Sequence, residues 1–401
     1  MLKFHVRRPA IHHGHAEGAK LARLAFIVNV GDAAFWTVIP IHLAQLMNGE
    51  GPVGFYLAGV ALIGGLATVF MTEVFEKRSK VAVGAAALIG MALLLIAMSI
   101  VNELWAFAAF DVPRSIGFIL LTVVLGLLVR DHVEAADLAV EEGRFYLFSN
   151  LGWLIGPVGA GYVARFAGTD AVFVVIAAVF GIALLYLWRL HLDSHPALLG
   201  RPELGSHREA VRALIAFLRN PQLRRVFVLS LGLEVWWIIS SIYIPLAVID
   251  EGFGPDVVGW VVTGGVVPLV LMEVWVGKLA KRNGTGRYLT LGFLILAAGA
   301  VSFVVFGFNA YLLLFLFAAV NVGAAFVEPL TDTYFFAVAT GSDGDRYFGI
   351  FNGAAPMAAL IGPLFAAVFF SVGLGLNGVW IMAAAMMAAV AWVASRLPAA
   401  D

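Results

Sequence analysis

A small set of ionisable residues lies inside long apolar segments, and these residues are the first candidates for chemistry. If the segments cross a membrane, each charge costs roughly 2.5–3.5 kcal/mol at the bilayer centre on insertion scales. Each residue therefore needs a partner, a water-filled cavity or a bound proton. The set consists of Asp32, Asp111, Arg114, Glu234, Glu328 and Asp332.

Four of the acids are candidates for binding protons. Asp32 has no basic residue within one helical turn in the sequence, so a proton is its expected partner unless another helix supplies a cation. Glu328 and Asp332 are four residues apart on one helical face, where two like charges disfavour joint ionisation. Glu234 lies at a similar depth in its segment. The sequence predicts proton-coupling roles for all four, and the alternative is a polar residue satisfied by a neighbouring helix.

A second group of residues is predicted to bind substrate. Asp111 and Arg114 are three residues apart and are able to form an ion pair on one helix face. Because Arg keeps its charge, Arg114 also suits an anionic substrate or a carboxylate. Trp36, Trp236 and Trp237 are able to form an aromatic wall, although lipid-facing or packed tryptophans would give the same pattern.

The composition identifies the solvent of these segments as lipid. Of 401 residues, 62% are apolar and 13% are charged, whereas soluble domains are about half apolar and a quarter charged. Windows of about 20 apolar residues recur along the chain, which is the length that crosses a bilayer as a helix. We therefore expect an all-α integral membrane protein with twelve transmembrane helices in two six-helix bundles.

The predicted spans fall into two groups of six. Spans 1–6 cover residues 21–47, 53–75, 81–101, 104–130, 145–166 and 169–190, and spans 7–12 cover residues 224–249, 257–280, 287–307, 310–339, 346–372 and 375–396. Each span of the second group begins 201 to 206 residues after its counterpart. Local residues repeat as well, since Glu73-Val74-Phe75 recurs as Glu273-Val274-Trp275. This internal repeat predicts bundles at 21–190 and 224–396.

The distribution of basic residues predicts the orientation in the membrane. With the N-terminus inside, 23 of the 25 Lys and Arg residues fall on the cytoplasmic side. Residues 1–20 and 397–401 are then cytoplasmic tails, and residues 191–223 form a cytoplasmic linker. The linker contains an amphipathic helix signal, which suits either the membrane surface or packing on the bundle. The expected location is the cell membrane (plasma or inner).

The residue inventory excludes several kinds of chemistry. The chain has no cysteine, so disulfides and thiolate metal sites are excluded. Neither an HExxH, a GxSxG nor a P-loop motif is present, so we expect no enzyme activity and no cofactor. Four histidines precede residue 16, but no carboxylate or cysteine lies among residues 1–16, and no metal site is predicted. The net charge of −1 indicates no nucleic-acid partner.

One segment of span 5 carries a family resemblance. Residues 152–161 read Gly-Trp-Leu-Ile-Gly-Pro-Val-Gly-Ala-Gly. Together with the two groups of six spans and the cytoplasmic linker, these residues resemble the major facilitator superfamily, in particular its twelve-helix proton-coupled drug and small-molecule antiporters. The resemblance is to the antiporter motif GxxxGPxxGG, carried here by Gly152, Gly156, Pro157 and Gly161. Small residues at this spacing let a neighbouring helix approach closely, which suits a seam on which two bundles rock.

The resemblance also implies a cytoplasmic latch between helices. After span 2 the family pattern G-x-x-x-D-R-x-G-R-R is represented by Glu73, Lys77 and Arg78, without its glycines. Between spans 8 and 9, the chain keeps both glycines and one arginine of the pattern. These three residues are Gly277, Arg282 and Gly284.

These observations predict a secondary active transporter that works by alternating access. The preferred hypothesis is a proton-coupled exporter of small amphipathic molecules, because the span 5 motif resembles that of exporters. The alternative is a proton symporter that imports a sugar or an organic anion, which Arg114 would favour. The expected partners are a small-molecule substrate, protons and the lipid bilayer, and one chain holds both halves of a cavity, so a monomer is expected to suffice.

Overall fold

The structure is a computed structural model that describes residues 14–68, 79–132, 138–192, 207–306, 310–339 and 343–398. All regular elements in these ranges are α-helices. The first seven are α1 (Gly14–Leu46), α2 (Gly51–Thr68), α3 (Lys80–Met98), α4 (Leu104–His132), α5 (Leu138–Ala167), α6 (Thr169–Arg189) and α7 (His207–Arg219). The other seven are α8 (Pro221–Asp250), α9 (Pro255–Asn283), α10 (Thr285–Phe306), α11 (Ala310–Val338), α12 (Asp343–Phe351), α13 (Ala354–Ser371) and α14 (Gly375–Ala394).

The helices confirm the predicted fold class. Ten segments of the described chain are long and apolar enough to cross a membrane. The apolar stretch of α2, Gly51–Ala67, is slightly shorter, and α5 is a twelfth long helix whose first turns carry Glu141 and Arg144. Span 11 is broken at residues 352–353, which separate α12 from α13. α1 begins at Gly14, inside the segment predicted as a tail, and α5 begins seven residues before the predicted start of span 5.

In the N-terminal half, α1 packs against α5 and α6, while α3 packs against α4 and α6. The contact between α1 and α5 is close because α5 presents glycine to it. A Cβ added at Gly152 would lie 2.9 Å from the Asn29 Cβ, and one added at Gly156 would lie 2.5 Å from the Val30 carbonyl oxygen. Asn29 also donates a hydrogen bond to Ser149 Oγ over 3.2 Å.

The C-terminal half is built on the same plan, with α8 against α13 and α14 and with α10 against α11 and α14. Gly292 of α10 and Gly323 of α11 allow their helices to approach closely, since a Cβ on either would lie within 2.7 Å of the other's carbonyl oxygen. Inside this half, the Trp236 indole N–H donates to Asn321 Oδ1 over 2.9 Å. The Asn321 amide donates to the Gly265 carbonyl over 3.0 Å, which ties α8, α11 and α9 together.

The two halves meet mainly through three helix pairs, which are α5 with α9, α2 with α13, and α1 with α8, and α1 also contacts α9. We call one end of the bundle the distal end, which carries the turns at residues 47–50, 99–103, 168, 251–254 and 372–374. At this end Gly54 of α2 lies against Pro363 of α13, so that a Cβ on Gly54 would be 2.5 Å from the Pro363 carbonyl oxygen. The halves are therefore in close contact on the distal side of the bundle.

The linker helix α7 packs on the C-terminal half through one of its faces. Phe217 is fully buried, and its ring lies 6.1 Å from the Phe227 ring and 5.7 Å from the Tyr347 ring. Of the two interpretations of this helix, packing on the bundle therefore holds for this face. The rest of the helix surface exposes Leu214, Ile215 and Leu218.

Candidate functional site

A cavity of about 280 Å³ lies between the two halves. This volume is near the lower limit of roughly 300–1,000 Å³ for small-molecule pockets. Helices α1 and α5 of the N-terminal half and helices α8, α9 and α11 of the C-terminal half form its walls. The lining residues are Trp36, Asn150, Trp153, Glu234, Trp237, Ile238, Ser240, Ser241, Val262, Val266, Leu269, Phe317 and Glu328.

Two of the predicted proton-coupling acids lie in this cavity. Glu234 comes from α8 and Glu328 from α11, so both belong to the C-terminal half. Asp332, one turn further along α11, is exposed and acts electrostatically on Glu234. Among the described lining residues there is no Lys, Arg or His. The lining therefore offers negative charge, or neutral protonated acids, but no positive charge.

Aromatic and hydroxyl groups complete the lining. Trp36 and Trp153 come from the N-terminal half and Trp237 from the C-terminal half. The Ser240 hydroxyl is buried and has no hydrogen-bond partner among the described residues, so it is available to a ligand. Trp236, predicted to bind substrate, is fully buried in the C-terminal half and is not part of the lining.

Sequence reasoning missed five polar or aromatic lining residues, which are Asn150, Trp153, Ser240, Ser241 and Phe317. A signal existed for Trp153, because it lies between Gly152 and Gly156 of the quoted motif on a helix predicted to form the seam. Ser240 lies one turn after Trp236, in a helix already chosen for its acid and its tryptophans.

A separate polar cluster lies inside the N-terminal half. Arg114 Nε donates to Asp111 Oδ1 over 2.8 Å, and Arg114 Nη2 is also 2.8 Å from that oxygen. The predicted ion pair is therefore confirmed. The Tyr56 hydroxyl donates to Asp111 Oδ2 over 3.0 Å, and the guanidinium lies 3.6 Å from the centre of the Phe35 ring. Arg114 also acts electrostatically on the buried Asp32, so α4 supplies the cation that Asp32 lacks in its own helix.

Neither member of the ion pair lines the cavity. Asp111 is 1% exposed and Arg114 is 7% exposed. The guanidinium is already occupied by Asp111 and by the Phe35 ring, so a substrate in the cavity would not meet it. The substrate-binding role predicted for Asp111 and Arg114 is therefore not supported by their position.

The residues of the α5 motif contact two different helices. Gly152 and Gly156 face α1 of their own half, as described above. Pro157 and Gly161 instead reach α9 of the other half: a Cβ on Gly161 would lie 2.5 Å from the Pro255 carbonyl oxygen, and one on Gly259 would contact the Pro157 carbonyl oxygen. Contact with the other half, which the sequence predicted for the whole motif, is thus made by its distal part.

Three polar contacts cross the same seam between α5 and α9. Arg165 Nη1 is 3.2 Å from Asp256 Oδ1. The Trp260 indole N–H donates to the Tyr162 hydroxyl over 3.3 Å. The Thr263 hydroxyl donates to the Leu154 carbonyl over 3.0 Å. These contacts hold α5 and α9 together along the distal half of the cavity.

An acidic cleft lies at the distal surface between the halves. Glu50 follows α1, Asp250 ends α8, and both line a cleft of about 350 Å³ together with residues 373–377. Burial, and then the nearby Asp250 carboxylate, raise the pKa of the Glu50 carboxyl from 4.5 to about 7. The contact between the halves at this end therefore favours a protonated Glu50.

The predicted latch is only partly within the described structure. Glu73, Lys77 and Arg78 lie outside the described residues, as does the side chain of Arg282. Gly277 lies within α9. Gly284 follows the last residue of α9 with φ of 90°, a left-handed conformation that glycine adopts without strain. Within the described residues, no group of three or more His, Asp or Glu side chains is arranged to hold a metal ion.

Comparison with known proteins identifies the class of this protein. The family model of the Major Facilitator Superfamily matches residues 21–254 and 226–400. The chain belongs to this superfamily of membrane transporters, and the predicted family is confirmed. No curated protein gives a significant match.

Solved structures share the fold across nearly the whole chain. A POT family transporter in complex with 5-aminolevulinic acid superimposes with a TM-score of 0.74 at 12% identity, covering 95% of both chains. The nucleoside transporter NupG gives a TM-score of 0.73 at 15% identity, covering 95% of this chain and 98% of its own. A POT family transporter in complex with a thioalcohol-conjugated peptide gives 0.73 at 11% identity, covering 94% of both. Likeness at these identities defines the fold alone.

Proposed function

We propose that this transporter is a proton-coupled exporter of small amphipathic molecules, and that it accepts cationic or neutral molecules rather than anions. The observation that carries the proposal is the cavity, where Glu234 and Glu328 meet three tryptophans without a described basic side chain. In a medium of low dielectric constant, a bound cation compensates an ionised carboxylate, and a proton does the same. Substrate and proton therefore compete for the same acids.

This competition produces exchange. A cation that binds beside Glu234 and Glu328 displaces a proton, and a proton that returns displaces the cation. Tryptophan faces add attraction for a cation, worth about 0.5–2 kcal/mol per contact. Alternating access then turns the competition into antiport, because the cavity exchanges one ligand for the other each time it opens to a new side of the membrane.

The direction of transport follows from the proposed orientation. If both termini are cytoplasmic, as the charge distribution predicts, the distal end faces outward. The acids of the cavity are then exposed alternately to the two sides of the membrane. Protons that move inward down their gradient would then drive substrate outward. Among the solved neighbours, NupG is a nucleoside transporter, and POT family transporters are seen in complex with a thioalcohol-conjugated peptide and with 5-aminolevulinic acid. Small ligands therefore suit the fold.

The alternative, a symporter of an anion, depends on a free cation in the cavity. Arg114 was its strongest support, and Arg114 is held by Asp111 away from the cavity lining. The described lining residues therefore leave an anion without a positive partner and beside two acids.

The test uses proteoliposomes with an acidic lumen and three permeants that share a phenyl ring. They are benzyltrimethylammonium, benzyl alcohol and benzenesulfonate, which are cationic, neutral and anionic at every working pH. We expect accumulation of the cation that a protonophore abolishes. Glu234→Gln and Glu328→Gln should each reduce the accumulation at least about tenfold, whereas Glu103→Gln, an exposed acid at the distal surface, should not. Accumulation of benzenesulfonate with an alkaline lumen would contradict the proposal.

A further inference from the structure

The distal end of the N-terminal half holds a second polar site that is separate from the cavity. His42 Nδ1 lies 3.0 Å from the Thr169 hydroxyl and 3.5 Å from Asp170 Oδ1. The Asp170 side chain is 50% exposed, whereas the His42 side chain is 5% exposed. These contacts connect the distal surface with a buried imidazole.

The other nitrogen of His42 points into an apolar environment. His42 Nε2 is buried and has no hydrogen-bond partner among the described residues. The imidazole packs 4.9 Å from the Phe107 ring and 5.0 Å from the Phe173 ring, centre to centre. A buried ring nitrogen without a partner is unfavourable. The unsatisfied Nε2 leaves the imidazole able to exchange a proton with a group that comes within reach on that side.

Phe107 is a neighbour of both His42 and a second hydrogen-bonded group. Its ring centre is 4.9 Å from that of His42 and 6.5 Å from that of Tyr56. The Tyr56 hydroxyl donates to Asp111, and Asp111 is close enough to act electrostatically on His42. The Phe107 ring is therefore a shared neighbour of the imidazole and of Tyr56, the hydrogen-bond donor to the buried ion pair.

The net charge of the buried cluster of Asp32, Asp111 and Arg114 favours the uptake of one proton. With Asp32, Asp111 and Arg114 all ionised, the three side chains carry a net charge of −1. One proton makes the cluster neutral, which a medium of low dielectric constant favours. Arg114 interacts with both Asp32 and Asp111. When one of these acids is protonated, the guanidinium is able to pair with the acid that stays ionised.

We infer that His42, Thr169 and Asp170 form a proton-uptake site at the distal surface, which feeds the Asp32–Asp111–Arg114 cluster without passing through the substrate cavity. His42 Nδ1 takes a proton from the distal surface while Nε2 releases one inward, so the imidazole ends neutral. The Tyr56 hydroxyl accepts this proton as it gives its own to Asp111, once the Phe107 ring moves aside. Arg114 then turns from Asp111 to Asp32.

The charged groups that act on His42 from the packed helices are Asp170 of α6 and Asp111 of α4. Asp170 is half-exposed at the distal surface, whereas Asp111 is buried. A proton that crosses the ring therefore moves from one carboxylate towards the other. The role of this route in coupling rests on the proposed function, whereas the protonation itself does not.

The experiment follows protonation directly in the absence of substrate. Purified protein is subjected to a rapid drop in pH, and infrared absorption records the C=O stretch of newly protonated carboxyl groups. The part of the signal that disappears in Asp32→Asn or Asp111→Asn reports the cluster. His42→Asn keeps a hydrogen-bonding group facing Thr169 but does not titrate. We expect it to slow the cluster signal at least about tenfold and to leave the final amplitude unchanged, because a route changes rates and not equilibria.

Three further variants test the route at other positions. Asp170→Asn changes a half-exposed surface group and should also slow the signal, while Glu103→Gln at the same surface should not. Phe107→Ala should speed it by removing the ring that neighbours both His42 and Tyr56. An unchanged rate in both His42→Asn and Asp170→Asn, or the lack of any signal that depends on Asp32 or Asp111, would overturn the inference. Because no substrate is added, failure of the exporter proposal would leave this result unaffected.

Discussion

Gly161 is the position at which a single methyl group should open the distal end. In Gly161→Ala the new Cβ would lie 2.5 Å from the Pro255 carbonyl oxygen and must retreat by about 0.9 Å to reach the ordinary contact limit of 3.4 Å. The obstacle is backbone at the start of α9, so the two helices have to separate. Overpacking of this kind costs about 1–3 kcal/mol, which shifts the ratio of closed to open distal ends by roughly 5- to 150-fold.

The assay is a distance measurement across the distal end by electron paramagnetic resonance. The chain has no cysteine, so spin labels attach only at introduced positions. Asn102 in the N-terminal half and Glu251 in the C-terminal half are exposed at this end, and both are replaced by cysteine. We expect Gly161→Ala to move the distance distribution towards longer values.

Two matched glycines of the same helix are the controls. A Cβ on Gly159 would meet nothing within 4 Å, so Gly159→Ala should leave the distances unchanged. Gly156→Ala would press on α1 of its own half, where the Val30 carbonyl is 2.5 Å away, so it should lower thermal stability without lengthening the distances. Equal distance distributions in Gly161→Ala and Gly159→Ala would refute the assignment of the seam.

Three further predictions follow from individual side chains. Because contact between the halves raises the pKa of Glu50 from 4.5 to about 7, lowering the pH through this window should favour the closed distal end, and Glu50→Gln should remove this part of the pH dependence of the same distances. Arg114→Lys should lower the free energy of unfolding by about 1–3 kcal/mol in thermal unfolding, because an ammonium does not reproduce the geometry of the guanidinium with Asp111. Trp236→Phe should lower stability through loss of the bond to Asn321 with little change in cation affinity, whereas Trp237→Phe should weaken cation binding measured by calorimetry.

The sequence was sufficient for features that depend on one helix at a time. Apolar windows of membrane length predicted the helices, and a spacing of three residues predicted the pair of Asp111 and Arg114. Such features need only the periodicity of a helix and the cost of charge in lipid.

Features that depend on two helices were not predictable in the same way. Trp236 and Trp237 are neighbours in sequence, but about 100° of helical rotation separates them, so one is buried and the other lines the cavity. Likewise, the sequence alone did not reveal that Arg114 of α4 acts on Asp32 of α1. The packing angles of α1, α4 and α8 determine which side chains of different helices become neighbours.

The central claim is the exchange of protons for a substrate, and the most direct measurement records the lumen pH of proteoliposomes during substrate influx. The vesicles start without a pH gradient, carry a pH-sensitive dye, and are held at zero membrane potential by potassium and valinomycin. Addition of benzyltrimethylammonium should raise the lumen pH as the cation enters, and Glu234→Gln and Glu328→Gln should abolish the rise. A lumen that turns acidic, or influx of the cation with no change in pH, would contradict the account.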